Sequence, residues 1–315
     1  MSRTVLVIVG PTGVGKTGVS LESAKRLDCE VISADSRQVY KYMNIGTAKP
    51  TREELAAVPH HFIDIKLPDQ RYSAGEFGDE ARACIADIFS RGKQPVVVGG
   101  SGLYIRALVD GFSGHRIADE NVKAALQDEL RQRGIATLYA RLQAVDAETA
   151  ANLNRTDTQR ILRALEVFEI TGTPLSEYLK KTPAPAEFES IFFGLTMPRV
   201  ELYKRITRRV DTMISAGLLE EVRALEEMGY GSGLNALRTV GYQEVFMHFK
   251  GDLTHDEMVL LIKQKTRNYA KRQLTWFRKD TRVRWLDRSN FLSSAELATH
   301  IHNALLGSRE RMTAK

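Results

Sequence analysis

Gly10-Pro11-Thr12-Gly13-Val14-Gly15-Lys16-Thr17 fits the pattern G-x-x-x-x-G-K-[ST] at every fixed position. Its flanks supply the context that pattern needs. The apolar run Thr4–Val9 reads as a buried parallel strand, and Thr17–Leu27 reads as a helix. Gly10, Gly13 and Gly15 let the backbone turn tightly, so successive N–H groups converge on one anion. The first turn of the following helix adds unpaired N–H groups and the positive end of its dipole. In such a loop Lys16 supplies a point charge for the distal phosphate, and Thr17 a hydroxyl ligand for Mg²⁺. Strand, loop and helix in this order open an α/β domain built on a parallel sheet. The loop leaves open which phosphate compound it holds and which bond breaks.

The chain has 315 residues, which predicts two domains or one large domain with an insertion. An apolar content of 43% is enough for a sizeable core. Cys29 and Cys84 are far apart and form no ligand-spaced cluster. They suggest neither a zinc site nor a disulfide framework, and point to a reducing, cytoplasmic setting. The N-terminal apolar run leads straight into the phosphate loop, so it reads as a strand and not a signal peptide. No run approaches membrane-spanning length, so no membrane partner is expected. The net charge of +6 tilts toward a polyanionic partner, provided the charge is clustered.

Glu30–Ser33 reads as a second buried strand, ending in Ala34-Asp35-Ser36-Arg37-Gln38-Val39-Tyr40. Ligands of open α/β sheets sit beyond the carboxyl ends of strands, which puts Asp35 close to the phosphate loop. Equally, Asp35 could cap a helix starting near Ser36. Met43–Pro50 reads as a loop. His60 and His61 are adjacent rather than four apart, so a structural role is favoured over a metal pair. Ser73–Ser90 has helical spacing, with Phe77, Ala81, Ile85 and Ile88 on one face and Arg91-Gly92-Lys93 as the stop. Val96–Val98 is another central strand. It ends in Gly99-Gly100-Ser101-Gly102, where the Walker B strand of an NTPase would end in an acid, which weakens an ATPase reading. Ser101 offers a hydroxyl at the active edge of the sheet.

The character changes near Phe112. Strand-like runs vanish, and Asp119–Arg133, Ile135–Val145 and Asp157–Ile170 read as helices stopped by Gly134 and Gly172. Residues 112–187 therefore read as a helical insertion, punctuated at its end by Thr182-Pro183-Ala184-Pro185, between core segments 1–111 and 188–315. Within it Arg160 and Arg163 share a face that is either solvated or in contact with phosphate. The core resumes at the strand Ile191–Thr196. Glu201–Ala216 reads as a helix carrying Arg205, Arg208 and Arg209, with Arg205 and Arg209 one turn apart; arginines on a later helix can reach over a phosphate loop. Leu218–Met228 is amphipathic, and Leu237–Glu244 reads as a polar, glycine-containing junction. His255 to Lys279 reads as one long helix, with Lys263, Lys265, Arg267, Lys271, Arg272, Arg278 and Lys279 following Asp256 and Glu257. Acids first and bases later suits the helix dipole. Asn268, Tyr269, Trp276 and Phe277 interleave with the bases, which also suits single-stranded nucleic acid, with Lys271 and Arg278 as candidate contacts. Gly307–Lys315 is expected to fray.

The phosphate loop, Ser33–Tyr40, Ile45-Gly46-Thr47-Ala48-Lys49-Pro50, Gly99–Tyr104, Gln159–Val167, Val240-Gly241-Tyr242 and Thr266–Arg278 occur in this order. Together they closely resemble the bacterial tRNA dimethylallyltransferases over roughly residues 4 to 280. The resemblance implies a P-loop kinase-like α/β fold whose helical insertion grips the anticodon stem-loop of tRNA. It implies transfer of a dimethylallyl group from dimethylallyl diphosphate to N6 of the adenosine immediately 3′ of the anticodon. Gly10, Pro11, Thr12, Gly13, Val14, Gly15, Lys16 and Thr17 would then hold the diphosphate as a leaving group, with Mg²⁺ on Thr17 and Arg209 beside it. Asp35 would be the general base. Asp35, Ser36, Arg37, Gln38, Ser101, Lys123, Gln159, Arg160, Ile161, Leu162, Arg163, Arg238, Thr239, Val240, Gly241, Tyr242 and Gln243 would contact tRNA. The family usually has threonine where this chain has Ser101, and serine keeps the hydroxyl. Lys123 would be the basic contact from the first helix of the insertion, and Arg208 competes with Arg209 for the diphosphate. A monomer is expected. Three other readings are a P-loop kinase of small molecules, a prenyltransferase of free adenine nucleotides and a non-catalytic RNA-binding protein. The missing Walker B acid opposes the first. The insertion and long basic helix oppose the second, and the complete phosphate loop with Asp35 opposes the third.

Overall fold

The computed structural model describes residues 3–111, 117–180 and 186–313. Its strands are β1 (Thr4–Val9), β2 (Cys29–Ala34), β3 (His60–His61), β4 (Gln94–Gly99), β5 (Glu189–Thr196) and β6 (Val283–Asp287). They form one parallel sheet in the order β3-β2-β4-β1-β5-β6. The helices are α1 (Lys16–Ala24), α2 (Arg52–Ala57), α3 (Ala74–Ser90), α4 (Gly102–Asp110), α5 (Glu120–Val145), α6 (Ala147–Ala151) and α7 (Thr158–Thr171). There follow α8 (Leu175–Lys180), α9 (Arg199–Ser215), α10 (Leu218–Glu227), α11 (Tyr242–Phe249), α12 (His255–Phe277) and α13 (Ser294–Thr313).

The register fixes the site. Val9 pairs with Gly99 on one side and Gly194 on the other, while Gly99 also pairs with Ala34. The loops after β1, β2 and β4 therefore leave the sheet at one level, at Gly10, Asp35 and Gly100. From β1 the chain moves to β2 on one side, and from β4 it moves to β5 on the other. Neighbouring strands whose connections diverge leave a crevice at their carboxyl ends, the usual ligand position in such sheets. β1 and β2 are fully buried; β1 is an apolar run after Thr4, and β2 buries Glu30 and Ser33 as well. Leu6, Ile8, Val96, Phe193 and Leu195 from the sheet pack with Leu202 and Ile206 of α9 and Leu297, Ile301 and Leu305 of α13.

The described chain separates into two compact units. One comprises residues 1–72, 80–105 and 186–315, the other residues 73–79 and 106–185. In the second unit α5, α6 and α7 close over Leu126, Leu138, Leu142, Ala150, Ile161 and Leu165. Gly134 inside α5 has φ 76° and ψ 168°, so the two helices predicted on either side of it are joined end to end across a break. Asp157 caps α7 by accepting from the N–H of Arg160, and Gly172 stops it at φ 68°. Thr182–Pro185 lie outside the described residues.

The structure decides one open alternative and adds elements that the sequence left unassigned. Asp35 starts no helix: Ser36 to Val39 form a turn. The junction Leu237–Glu244 runs into α11. Beyond residue 280 lie β6 and α13, and the segment from Gly307 to Thr313, expected to fray, is helical. Among the described residues no helix is long and apolar enough to cross a membrane.

The histidine pair is structural. His61 Nε2 lies 2.7 Å from Glu30, and His60 Nδ1 lies 2.8 Å from the Val58 carbonyl. Glu30, only 2% exposed, also takes paired contacts from the Arg91 guanidinium and lies 3.3 Å from Lys93. The Arg91 hydrogen bonds, against the cost of burial and aided by His61 and Lys93, hold its carboxyl down to about 2. Because the folded value lies below the ordinary 4.5, this ionised carboxylate stabilises the fold above pH 4.5 and progressively less toward pH 2. Glu30→Gln should cost about 1–3 kcal/mol at neutral pH in urea unfolding. The gap from wild type should close as pH falls from 4.5 toward 2; a gap independent of pH would contradict this account.

Candidate active site

A cavity of about 660 Å³ opens at the carboxyl ends of β1, β2 and β4. The phosphate loop forms one end of it. Gly10, Gly13 and Gly15 have φ of 147°, 81° and 101°. At Gly10 a Cβ would also lie 2.6 Å from the Leu195 carbonyl oxygen of β5, so both backbone and space demand glycine there. No side chain caps α1, which leaves its first N–H groups open to an anion.

Lys16 folds back over the loop, and its Nζ donates to the carbonyls of Gly10 at 2.9 Å and Pro11 at 3.0 Å. Burial pushes its ammonium down to about 8; Asp35 opposes that shift and Arg209 adds to it. Burial also lowers Arg209, again against Asp35. Two half-buried cations thus lie within electrostatic reach of one carboxylate, and the surplus positive charge faces a cavity rimmed by loop N–H groups. Such an arrangement favours a polyvalent anion. Arg208, the neighbour that could be confused with Arg209, lines a separate surface hollow with Tyr203, Lys204, Asp211 and Arg267. Arg205 Nε donates to the Gly13 carbonyl at 2.8 Å and braces the loop from α9.

Asp35 Oδ1 accepts from the N–H groups of Arg37 at 2.9 Å and Gln38 at 3.4 Å. That anchors the turn that replaces the alternative helix, and places the carboxylate on the cavity wall. Ser36, Arg37, Gln38, Arg238, Thr239, Val240, Gly241 and Gln243 also border the cavity. Three of these side chains are engaged within the protein. Arg37 donates to the carbonyls of Asn235 and Ala236, Gln38 to Thr47 and Ala48, and Gln243 to Ser232 and Leu237. Tyr242 is fully buried, with its hydroxyl on Glu221, and can act only through what it holds in place. Glu221 in turn accepts from the N–H groups of Asn44, Ile45 and Gly46, which fixes the loop bearing Thr47 and Ala48.

Ser101 Oγ accepts from the Ser36 N–H at 2.9 Å and bonds the hydroxyl of the half-buried Tyr269. Burial raises Tyr269 to about 12, with Asp35 adding to the shift. Lys123 and Gln159–Arg163 belong to the second unit. There Gln159 and Arg160 are exposed and Leu162 is partly buried. Ile161 is fully buried, and Arg163 bonds the Ile117 carbonyl and Glu166. On α12, Lys271 and Trp276 share an exposed surface with Asn268, Arg272 and Lys279, and Arg278 is exposed at the helix end.

Among the described residues no three His, Cys, Asp or Glu side chains cluster to cage a metal. Thr17 on the cavity wall fits a cation that arrives with phosphate oxygens and keeps waters, the habit of Mg²⁺. Gln273, absent from the sequence-based candidates, is buried between two loops of the site. Its signal lay in spacing: Tyr269, Gln273 and Trp276 at i, i+4 and i+7 form one stripe of α12.

A family model described as IPP transferase matches residues 38–280. A tRNA dimethylallyltransferase of Carboxydothermus hydrogenoformans is 44% identical over 91% of this chain and 93% of its own. The crystal structure of the full-length tRNA isopentenylpyrophosphate transferase of Bacillus halodurans is 38% identical, with a TM-score of 0.73 over 99% of both chains. A eukaryotic dimethylallyltransferase, described as acting on tRNA, gives a TM-score of 0.81 at 28% identity over 98% of this chain and 80% of its own.

The separation of the two arginines is directly testable with inorganic diphosphate in a calorimeter. Arg209→Ala should weaken its affinity about tenfold or more, the loss of one charge-assisted contact, and Arg208→Ala less than about threefold. Equal effects would contradict the assignment.

Proposed function

The chain belongs to the IPP transferase family, and from that we propose that it transfers a dimethylallyl group from dimethylallyl diphosphate to N6 of the adenosine 3′ of the anticodon in tRNA. The observation that carries this reading is one cavity edged by an anion-binding loop, two half-buried cations and a carboxylate. Val210, Met213, Met247 and Ile262 on the same cavity wall give the dimethylallyl group an apolar surface.

Attack by N6 on C1 of the allyl group forms the carbon–nitrogen bond while the C1–O bond breaks. The bonding pair leaves with the diphosphate, and the proton on N6 passes to Asp35. Loop N–H groups, Lys16 and Arg209 meet the charge that grows on the departing oxygen. A Mg²⁺ held by Thr17 and the diphosphate oxygens would neutralise part of that charge. An adenine amine is a weak nucleophile because its lone pair is delocalised into the ring, so a carboxylate that accepts its proton matters. The target base must leave its stack to reach Asp35, at lower cost in a single-stranded loop.

The exposed bases and Trp276 of α12 would lie along the RNA, with phosphates on the cations and a base on the ring. The residues assigned to tRNA on the helical unit, Lys123 and Gln159 to Arg163, would grip the anticodon stem. A monomer working in the cytoplasm is part of the same proposal.

With labelled dimethylallyl diphosphate and unmodified tRNA, Asp35→Asn should lower the single-turnover rate about 10²–10⁴-fold with tRNA affinity retained. An Asp35→Asn protein as fast as wild type would remove the general base from the account. Affinity for tRNA should fall linearly in log K against log salt; a flat line would contradict an extended phosphate interface.

A further inference from the structure

Three consecutive residues after β4 meet one stripe of α12. Ser101 bonds Tyr269; a Cβ on Gly100 would overlap the Gln273 amide; a Cβ on Gly102 would overlap the Trp276 ring. The middle contact reaches further. Gln273 Oε1 accepts from the Thr12 N–H of the phosphate loop at 2.8 Å, and its Nε2 donates to the Gly100 carbonyl at 3.0 Å. The orientation of the amide is forced, since only its oxygen can take the Thr12 proton and only its nitrogen can serve the Gly100 carbonyl. The side chain is 6% exposed.

A phosphate loop binds an anion through backbone N–H groups, and its affinity depends on how tightly those groups are held in direction. The Thr12 N–H is committed to Gln273, so α12 fixes the loop without occupying the anion's place. β4 carries no acidic side chain at its end, and the Gln273 amide fills the room that its glycines leave. We propose that Gln273 is a positioning residue that holds the phosphate loop in its diphosphate-binding geometry and ties it to the basic, aromatic helix α12. This deepens the prenyl-transfer reading and rests on it for the identity of the diphosphate.

The test compares Gln273→Met, which keeps side-chain length and loses both hydrogen bonds, with Gln273→Glu, which keeps an acceptor for Thr12 and loses the donor to Gly100. Gln264→Ala, at an exposed position of the same helix, is the control. Inorganic diphosphate affinity is read by calorimetry, loop order by hydrogen exchange at the Thr12 amide, and turnover per folded molecule with both substrates varied. Gln273→Met should weaken diphosphate binding about tenfold to a hundredfold and speed exchange at Thr12. It should raise the KM of the prenyl donor by the same factor, with tRNA affinity within about threefold. Gln273→Glu should fall between it and wild type. Diphosphate affinity and Thr12 exchange unchanged in both variants would overturn the assignment. So would a lowered melting temperature with unaltered affinity in the folded fraction, which marks a purely structural residue. Should the variants respond as expected while wild type transfers no prenyl group, the positioning role stands and the prenyl-transfer reading fails.

Discussion

The Lys16 ammonium, half-buried and folded onto the carbonyls of Gly10 and Pro11, is where the architecture and the chemistry meet. Withdrawing a cation from water is costly unless its surroundings offset the lost hydration. Here the loop carbonyls and Asp35 do so in part, and Arg209 works against them. A polyvalent anion between the loop N–H groups and Arg209 would complete the balance. The site is therefore poised for negative charge before any substrate arrives, which is how preorganised electrostatics lowers a barrier in which charge moves onto a leaving group.

Glycines alone would leave such a loop free to wander, because each lacks the side chain that could hold it. Its order comes from outside. Arg205 of α9 takes the Gly13 carbonyl, Gln273 of α12 takes the Thr12 N–H, and β5 crowds Gly10. The sheet register then brings Asp35 and Ser101 to the same edge, and Ser101 joins the turn after β2 to the turn after β4 through the Ser36 N–H. Glu221 performs the same service on the opposite wall by gathering three N–H groups and the Tyr242 hydroxyl. Gly10, Gly100 and Gly102 are required by these close approaches whatever ligand the site holds.

What the sequence disclosed follows from locality. A continuous apolar run is a buried parallel strand wherever it is read, so β1, β2, β4 and β5 were legible, and with them the side of the sheet where Asp35 must fall. Helical stops at Gly92, Gly134 and Gly172 were legible because positive φ is written in the residue itself. β6, Val-Arg-Trp-Leu-Asp, was not, because an edge strand with a half-exposed face has no clear apolar signature. Nor was α13, whose apolar residues are evident as a face only once α1 and β1 are there to cover it. Asp35 illustrates the middle case: its position was inferred, while the choice between a helix cap and an Asx-type turn depended on where Arg37 and Gln38 find their partners. For Gln273 the spacing with Tyr269 and Trp276 marked a shared stripe, while what the stripe bonds was hidden. Its two partners lie 261 and 173 residues away in sequence, and nothing local marks them.

The central claim is that the phosphate loop holds a leaving group and donates no phosphate. The most direct measurement is a stoichiometry: tRNA digested to nucleosides after incubation with doubly labelled dimethylallyl diphosphate, with released diphosphate counted in the same tube. The account predicts one diphosphate for each N6-dimethylallyladenosine, at the position 3′ of the anticodon. Label on free adenine nucleotide instead of tRNA, or phosphate passed from ATP to an acceptor with no prenyl transfer, would contradict it.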